Sequence, residues 1–168
     1  NVLHDLSDTL IFLLKAGLSP ALVEPANIFA TTPDQFKNLN PPTKPTVTVF
    51  LYRVAVNPEM RNGPRRLLSD GRWARPLLAL ELAYLITPWA KETRDEYRIA
   101  GRILQVFYDR AELCPADLQG TAWSPDDSVQ LILDPLPLED QFRLWETADI
   151  PYRLSLPYSA RVIGLEPG

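Results

Sequence analysis

Residues 76–111 constrain the fold more strongly than any other stretch, because an alternating apolar pattern is followed directly by a helical one. In the first half, large apolar side chains occupy every second position: Leu78, Leu80, Leu82, Tyr84 and Ile86. This period of two predicts a β-strand. Thr87-Pro88 then breaks the pattern as a turn, since the residue before a proline is disfavoured in helical space.

Residues 93–111 follow the period of a helix that folds back over this strand, giving a two-layer core. Thr93 and Glu96 stand three apart, the spacing at which their side chains can cap each other's backbone amides. The predicted apolar face consists of Tyr97, Ala100, Gly101, Leu104, Phe107 and Tyr108. A glycine inside a helix costs about 1 kcal/mol relative to alanine. We therefore expect Gly101 to mark the closest approach of helix and sheet.

The rest of the pattern predicts one more long helix, a short helix and three strands. The long helix spans 1–16 and ends at Gly17 as its C-terminal cap. The short helix is predicted over 138–147 with an apolar face of Leu138, Phe142 and Trp145. The strands cover 46–57, 128–133 and 152–165, and a short extended piece spans Asn27–Ala30. Pro157 inside the last strand argues for a sheet edge or a bulge.

The predicted fold class is α+β, a mainly antiparallel sheet with two longer helices packed on it. A length of 168 residues fits one domain over 1–168. Between the first two strong strands, turn signals at Asn62-Gly63 and Asp70-Gly71 predict a long projecting hairpin over 58–75.

Composition excludes several classes of function. A net charge of −4 argues against nucleic-acid partners, and no apolar run reaches the roughly 18 residues needed for membrane insertion. The apolar stretch near the N-terminus follows acidic rather than basic residues, which argues against a signal peptide. The single cysteine, Cys114, provides neither an internal disulfide nor a multi-thiolate metal site. These features fit folding in the reducing cytoplasm.

No arrangement of residues predicts catalysis, and neither a cofactor nor a metal is expected. His4, the only histidine, lies on a terminal helix and is interpreted as exposed or capping. Cys114 is expected to be a partly buried, inert thiol. The pairs Asp126-Asp127 and Glu139-Asp140 begin predicted elements, where acidic side chains complement backbone amides, and neither pair has calcium-loop spacing. Phosphate-binding glycine loops are absent.

Two oppositely charged segments are the candidate contact surfaces. Residues 61–75 contain Arg61, Arg65, Arg66, Arg72 and Arg75 against one aspartate, a local charge of +4, together with Trp73 as a candidate anchor. Residues 134–149 carry −4, and their candidate contacts are Glu139, Asp140, Glu146 and Asp149. Three alternatives remain open: the segments meet each other between subunits, the arginines contact a different protein, or both are solvated surface. A nucleic-acid contact is less favoured in an acidic chain.

Several stretches together resemble the tail-terminator, or cap, proteins of extracellular contractile injection systems, which are phage-tail-like particles. They are 46–62, 76–90, 98–113 and 136–163, together with the opening helix. The shared marks are Leu51-Tyr52-Arg53, Asn57 and Arg61-Asn62; Leu82, Tyr84-Leu85, Thr87-Pro88 and Ala90; Gly101; Leu144-Trp145; and Pro151-Tyr152-Arg153-Leu154-Ser155 with Tyr158. The order of these marks, rather than any single one, carries the resemblance.

The resemblance implies a structural role without enzymatic activity. Caps of this kind form a homo-hexameric ring that ends the inner tube and contacts the last sheath ring. The implied partners are therefore other copies of the chain, the inner tube protein and the sheath protein. Assembly is expected in the cytoplasm, into a particle that is either released or anchored to a membrane through other subunits. The alternatives are a monomeric adaptor that binds a peptide at the sheet edge near Pro157, and a small hydrolase with paired carboxylates.

Overall fold

The computed structural model describes residues 1–56, 65–67, 69–74, 78–123, 125 and 127–165. The helices are α1 (Val2–Gly17), α2 (Thr93–Asp109) and α3 (Leu138–Ala148), with shorter 3₁₀ turns at Pro25–Asn27, Pro33–Leu39 and Pro115–Asp117. The strands are β1 (Ile28–Ala30), β2 (Thr46–Val56), β3 (Arg66–Leu67), β4 (Trp73–Ala74), β5 (Leu78–Trp89), β6 (Glu112–Leu113), β7 (Ser128–Leu133) and β8 (Leu156–Leu165).

Six strands form one sheet in the order β1-β2-β5-β8-β7-β6, and β3 pairs with β4 separately. Only β1 and β2 run parallel; the other neighbours in the six-stranded sheet are antiparallel. The predicted α+β class with a mainly antiparallel sheet is confirmed. β5, the strand predicted as central, pairs with β2 on one side and β8 on the other.

The turn predicted at Thr87-Pro88 is wrong, because β5 runs through both residues to Trp89. Thr87 and Pro88 lie opposite Thr48 and Val47 of β2. The pairing with β8 ends earlier, at Ile86. Pro88 therefore has a neighbouring strand on one side only, as at a sheet edge, where a proline is tolerated.

The sheet edge expected at Pro157 is also wrong. β8 begins at Leu156 and lies between β5 and β7, with Pro157 opposite Leu85. The Asp134 N–H donates to the Pro157 carbonyl at 2.9 Å, so the proline closes the end of the β7–β8 pair. The register shift in the β5–β8 pair lies elsewhere, between Leu78 and Leu80, so Pro157 does not mark that irregularity. The strands at the two edges are β1 and β6.

Helices cover both faces of the sheet, which gives three layers where two were expected. On one face, α1 and α2 pack with the even-numbered side chains of β5 around a large core that includes Leu10, Tyr84 and Ile103. On the other face, α3 and the Pro33–Leu39 turn enclose Phe36, Trp89 and Trp145. Trp89 is held by its indole N–H, which donates to the Thr48 hydroxyl at 3.0 Å.

The buried side of α2 is rotated from the predicted one. It consists of Glu96, Ile99, Ala100, Ile103, Val106 and Phe107. Three residues assigned to the core, Tyr97, Leu104 and Tyr108, are exposed instead. The helix carries two neighbouring apolar stripes, and the β-branched one packs against α1 and the sheet. Periodicity alone does not distinguish two adjacent stripes.

The expectation for Gly101 is wrong for the same reason. A Cβ added at Gly101 would meet no heavy atom within 4 Å, since the residue faces outward. The close approach occurs at Gly17, where an added Cβ would lie 2.4 Å from Val106 Cγ2. Gly17 is the last residue of α1, and the cap is Leu18 in an extended conformation. Gly17 is thus needed for helix packing rather than for a left-handed cap.

Candidate interaction surfaces

The segment between β2 and β5 contains a small antiparallel hairpin, β3–β4, which we call the arginine hairpin. Its turn includes Gly71 in a left-handed conformation with φ of 81°. Leu67 and Trp73 lie directly opposite one another in the two strands. Both side chains are largely solvent-exposed, at 62% and 65% of their residue surface. Two large apolar groups side by side in water are typical of a protein contact.

The arginines of this hairpin are placed differently from one another. Arg72 is bound locally: its backbone N–H donates to Asp70 Oδ1 at 3.0 Å and its guanidinium lies 2.7 Å from Asp70 Oδ2. These hydrogen bonds lower the pKa of the Asp70 carboxyl below its ordinary value. Arg65 is exposed. Arg66 lies in β3, and Arg61 and Arg75 lie outside the described residues.

The acidic candidates surround α3. Glu139 and Asp140 are in its first turn, where carboxylates favour the partial positive charge of the helix N-terminus. Glu146 is exposed on the same helix. Asp149 has a more structural role, since it ends α3 in a left-handed conformation and lies 3.5 Å from Lys37 Nζ. Among the residues described, no ion pair joins these carboxylates to the arginine hairpin within one chain.

An exposed apolar surface on α3 corrects the predicted orientation of that helix. Its buried residues are Gln141, Trp145 and Ala148. Leu138 and Phe142, predicted to be core, remain 55% and 42% exposed, and Tyr152 beside them is 38% exposed. The rings of Phe142 and Tyr152 meet edge to face with centroids 4.9 Å apart. We call Leu138, Phe142 and Tyr152 the aromatic patch.

Buried rings support this patch from below. Trp145 lies 6.3 Å from the Tyr152 ring and stacks on Phe36 at 5.2 Å. Partial burial raises the pKa of the Tyr152 hydroxyl above its ordinary value. A surface residue backed by packed rings is held in place, so a partner would find it already ordered.

Beside the patch, Arg153 joins three separate parts of the chain. Its guanidinium forms an ion pair with Glu96 of α2, donates to Asn40 Oδ1 at 3.0 Å and lies 4.9 Å above the Trp89 ring. A cavity of about 680 Å³ opens next to this pair, lined by residues from 40–43, 90–97 and 151–154. The arginine already has three partners, so it acts as a structural link rather than a free anion site.

The outer side of α2 presents another unpartnered apolar surface. Tyr97, Leu104 and Tyr108 recur at helical spacing and are all exposed. A cavity of about 630 Å³ lies between Leu104, Tyr108 and the β7 residues Leu131 and Leu133. The sequence pattern could have indicated this exposed surface, because α2 carries two apolar stripes and a helix needs only one to pack on a core.

The candidate catalytic residues lie in separate segments of the chain. His4 Nδ1 lies 3.2 Å from Asp5 and 3.5 Å from Asp8 on an exposed helix turn. Cys114 is exposed, which corrects the expectation of a partly buried thiol. Asp127 is buried. Across the described residues, no group of three or more His, Cys, Asp or Glu side chains is positioned to hold a metal ion.

None of the helices in the described part of the chain has the length and apolar content to cross a membrane.

Comparisons with solved structures find the same fold in two caps. The first is the tube-terminating cap of the anti-feeding prophage, with a TM-score of 0.68 and 20% identity over 97% of this chain. The second is the sheath/tube terminator of an extracellular contractile injection system, PVC, in the extended state, with a TM-score of 0.64 and 19% identity over 98%. This chain spans about half of each, 54% and 56% of their lengths. No curated protein matches it.

The match to a sequence family is as extensive as the structural one. The family described as the Pvc16 N-terminal domain matches residues 5–168. Its match covers the stretches on which the resemblance to cap proteins is based, from residue 5 of the opening helix to residue 163. That resemblance is confirmed, and the chain belongs to the Pvc16 N-terminal domain family.

Proposed function

We propose that this chain is a structural subunit of the cap of a contractile injection particle. Six copies form a ring at the end of the inner tube, contact the last sheath ring and end the growth of both. The observation that carries the proposal is the shared fold over 97% and 98% of the chain with two solved terminators. The inner tube protein, the sheath protein and the chain itself are the proposed partners, and assembly takes place in the cytoplasm.

The surfaces of the subunit support an assembled state. The arginine hairpin, the aromatic patch and the outer stripe of α2 each expose large apolar side chains. Monomeric proteins rarely expose several apolar patches, because each lowers solubility without a compensating function. A ring subunit between a tube and a sheath needs several distinct contact surfaces, since its own neighbours and two other proteins bind to it.

We further propose that the chain is not an enzyme. Catalysis requires a nucleophile or base, an orienting partner and a stabilising group around one cleft. In the described part of the chain, His4 lies on α1, Cys114 precedes the Pro115–Asp117 turn and Asp127 precedes β7, so the three belong to separate segments. In the cavity beside the aromatic patch, two of the titratable side chains, Glu96 and Arg153, are already joined in an ion pair. The adaptor alternative loses its basis, because Pro157 lies in an internal strand.

The test is electron microscopy of particles from cells with and without the gene for this chain. We expect tubes of irregular length, or sheaths that fail to stay extended, when the chain is absent. Expression of the wild-type chain should restore uniform particles, and so should the variants His4→Ala and Cys114→Ala. Uniform, stable and contractile particles in the deletion strain would refute the proposed function. Loss of assembly in a folded Cys114→Ala variant would refute the absence of a catalytic role.

A further inference from the structure

We propose that neighbouring subunits of the ring join by inserting Leu67 and Trp73 of the arginine hairpin against the aromatic patch of the next copy. This inference rests on the proposed function and names the contact that closes the ring. The occupant of the patch is a second copy of this chain, in a head-to-tail arrangement.

The hairpin has the composition of an interface anchor. Trp73 and Leu67 are cross-strand neighbours that expose about two thirds of their surface. Tryptophan and arginine are the residue types most enriched among those that dominate binding energy. The turn is ordered locally, because Arg72 and Asp70 are hydrogen-bonded and Gly71 supplies the required φ. An ordered anchor loses little conformational entropy on binding.

The aromatic patch has the matching composition. Leu138, Phe142 and Tyr152 form an apolar centre that is fixed by the edge-to-face contact of the two rings. The burial of Trp145 directly beneath keeps the patch rigid. An aromatic anchor binds best against a packed apolar centre that excludes water, surrounded by a polar rim.

Charge complementarity selects a second copy as the partner. Glu139 and Glu146 are exposed on α3 at helical positions next to Leu138 and Phe142, with Arg143 as the opposing charge, whereas Asp140 lies on the opposite side of the helix. The segment that contains the hairpin carries +4 over 61–75, and the segment that contains the patch carries −4 over 134–149. Opposite charges at the rim steer encounter and fix register more than they add affinity. One chain therefore carries both halves of a complementary contact.

Because the two halves differ, the contact is heterologous and propagates from copy to copy. Such a contact forms a closed ring when the rotation from one subunit to the next is a whole-number fraction of 360°. Each subunit uses its hairpin once and its patch once. A subunit that lacks one half is then able to bind one neighbour only, and this property makes the contact testable by mixing.

The experiment compares two variants of the chain, Trp73→Ser in the hairpin and Phe142→Ser in the patch, by analytical ultracentrifugation. Each variant alone should self-associate at least about tenfold more weakly than the wild type, the loss expected for a residue that dominates an interface. An equimolar mixture should form a one-to-one heterodimer with near wild-type affinity and nothing larger. Only a head-to-tail contact gives this result, because the intact hairpin of one variant meets the intact patch of the other.

Phe12→Ser is the matched control, since Phe12 is an exposed aromatic residue on α1 outside all the surfaces described above. It should assemble like the wild type. If either serine variant fails to fold, Leu67→Ser and Leu138→Ser test the same two halves.

Three results would overturn the inference: a wild-type chain that stays monomeric at high concentration, single variants that assemble normally, or a mixture that does not form heterodimers. Normal rings of Trp73→Ser that fail to bind tube or sheath would assign the hairpin to another protein, which also overturns it. The proposed function is judged separately, by the particles of the deletion strain.

Discussion

Two glycines show how one missing side chain affects stability in opposite ways. At Gly17 the nearest atoms to an added Cβ are Val106 Cγ2, Cγ1 and Cβ, at 2.4, 3.0 and 3.3 Å. Rotation of the valine would not clear three atoms, and a β-branched side chain is restricted within a helix. The helices would have to separate. At Gly101 the space is open, so a side chain would fit there. The glycine only gives the unfolded chain more conformational freedom, which lowers the stability of the folded state.

We therefore predict that Gly17→Ala destabilises the protein by about 1–3 kcal/mol, the usual cost of overpacking. Gly101→Ala, on the exposed side of α2, should stabilise it by up to about 1 kcal/mol through helix propensity. Urea unfolding monitored by circular dichroism measures both changes. Equal stability of the two variants would show that α1 and α2 are not in close contact at this point.

Asp5 links α1 to the loop at 119–123 and should make stability depend on pH. The hydrogen bond with the His4 side chain lowers the pKa of the Asp5 carboxyl most, and hydrogen bonds from the Ala122 and Thr121 amides lower it further. Gly120, at φ of 88°, leaves room for this carboxylate, since an added Cβ would lie 2.2 Å from Asp5 Cγ. The carboxylate is thus favoured in the folded state.

A carboxyl whose pKa is depressed by folding stabilises the protein above its unfolded pKa of about 3.9 and loses this effect as pH falls through the folded value. The stability difference between the wild type and Asp5→Asn should therefore be greatest near neutral pH and shrink below about pH 4. Thermal unfolding across this range measures it. A difference that stays constant with pH would mean that the Asp5 charge makes no contribution.

At the scale of elements, the Arg153–Glu96 pair connects α2 to the segment that leads into β8. Both side chains are mostly buried, and Asn40 and Trp89 complete the surroundings of the guanidinium. Removal of one member of a buried pair leaves the other charge unpaired, which typically costs about 3–5 kcal/mol. Replacement of both by apolar groups avoids that penalty.

Arg153→Ala should therefore destabilise the fold strongly, whereas Arg153→Met combined with Glu96→Leu should recover most of the loss. The matched control is Arg98→Ala, which breaks an exposed pair with Asp95 on the same helix and should cost less than about 1 kcal/mol. Chemical unfolding of the three variants measures these differences. If Arg153→Ala costs no more than Arg98→Ala, the buried pair does not link the two elements.

Sequence periodicity predicted where most of these elements lie but not which side of each helix is buried. β2, β5 and β7 and both long helices were found within a few residues of their predicted bounds. On α2 and α3, apolar side chains occupy more than one face, and only tertiary packing selects one. Periodicity predicts core positions for five residues that the structure leaves exposed: Tyr97, Leu104, Tyr108, Leu138 and Phe142.

The same limit applies to the candidate contacts. Charge is counted directly along the sequence, so the basic segment 61–75 and the acidic segment 134–149 are predictable without the fold. The aromatic patch is not predictable in this way, because Phe142 and Tyr152 come into contact only in the folded chain. Arg153 was part of the marks shared with cap proteins, but its contacts with Glu96 and Asn40 span 57 and 113 residues of sequence.

For the whole molecule, the three-layer arrangement predicts where the fold is most resistant to opening. β5 is paired on both sides from Leu80 to Ile86. Its central residues, Leu82–Ile86, are fully buried. α1 and α2 cover one face of the sheet, and α3 with the Pro33–Leu39 turn covers the other. β1 and β6 are edge strands of three and two residues. Amides that open only by global unfolding exchange most slowly, and those at short edges exchange through local opening.

Hydrogen–deuterium exchange should therefore find the slowest amides of the chain in β5 between Leu82 and Ile86. β8 residues paired on both sides should follow, and β1 and β6 should exchange faster by orders of magnitude. Exchange should be measured on both the wild type and the Trp73→Ser variant. Slow exchange that is lost in the variant is due to subunit contacts, and slow exchange that remains is due to the fold. If β6 exchanged as slowly as β5 in both proteins, the sheet would open as one unit, and the central strand would have no special role in holding the domain together.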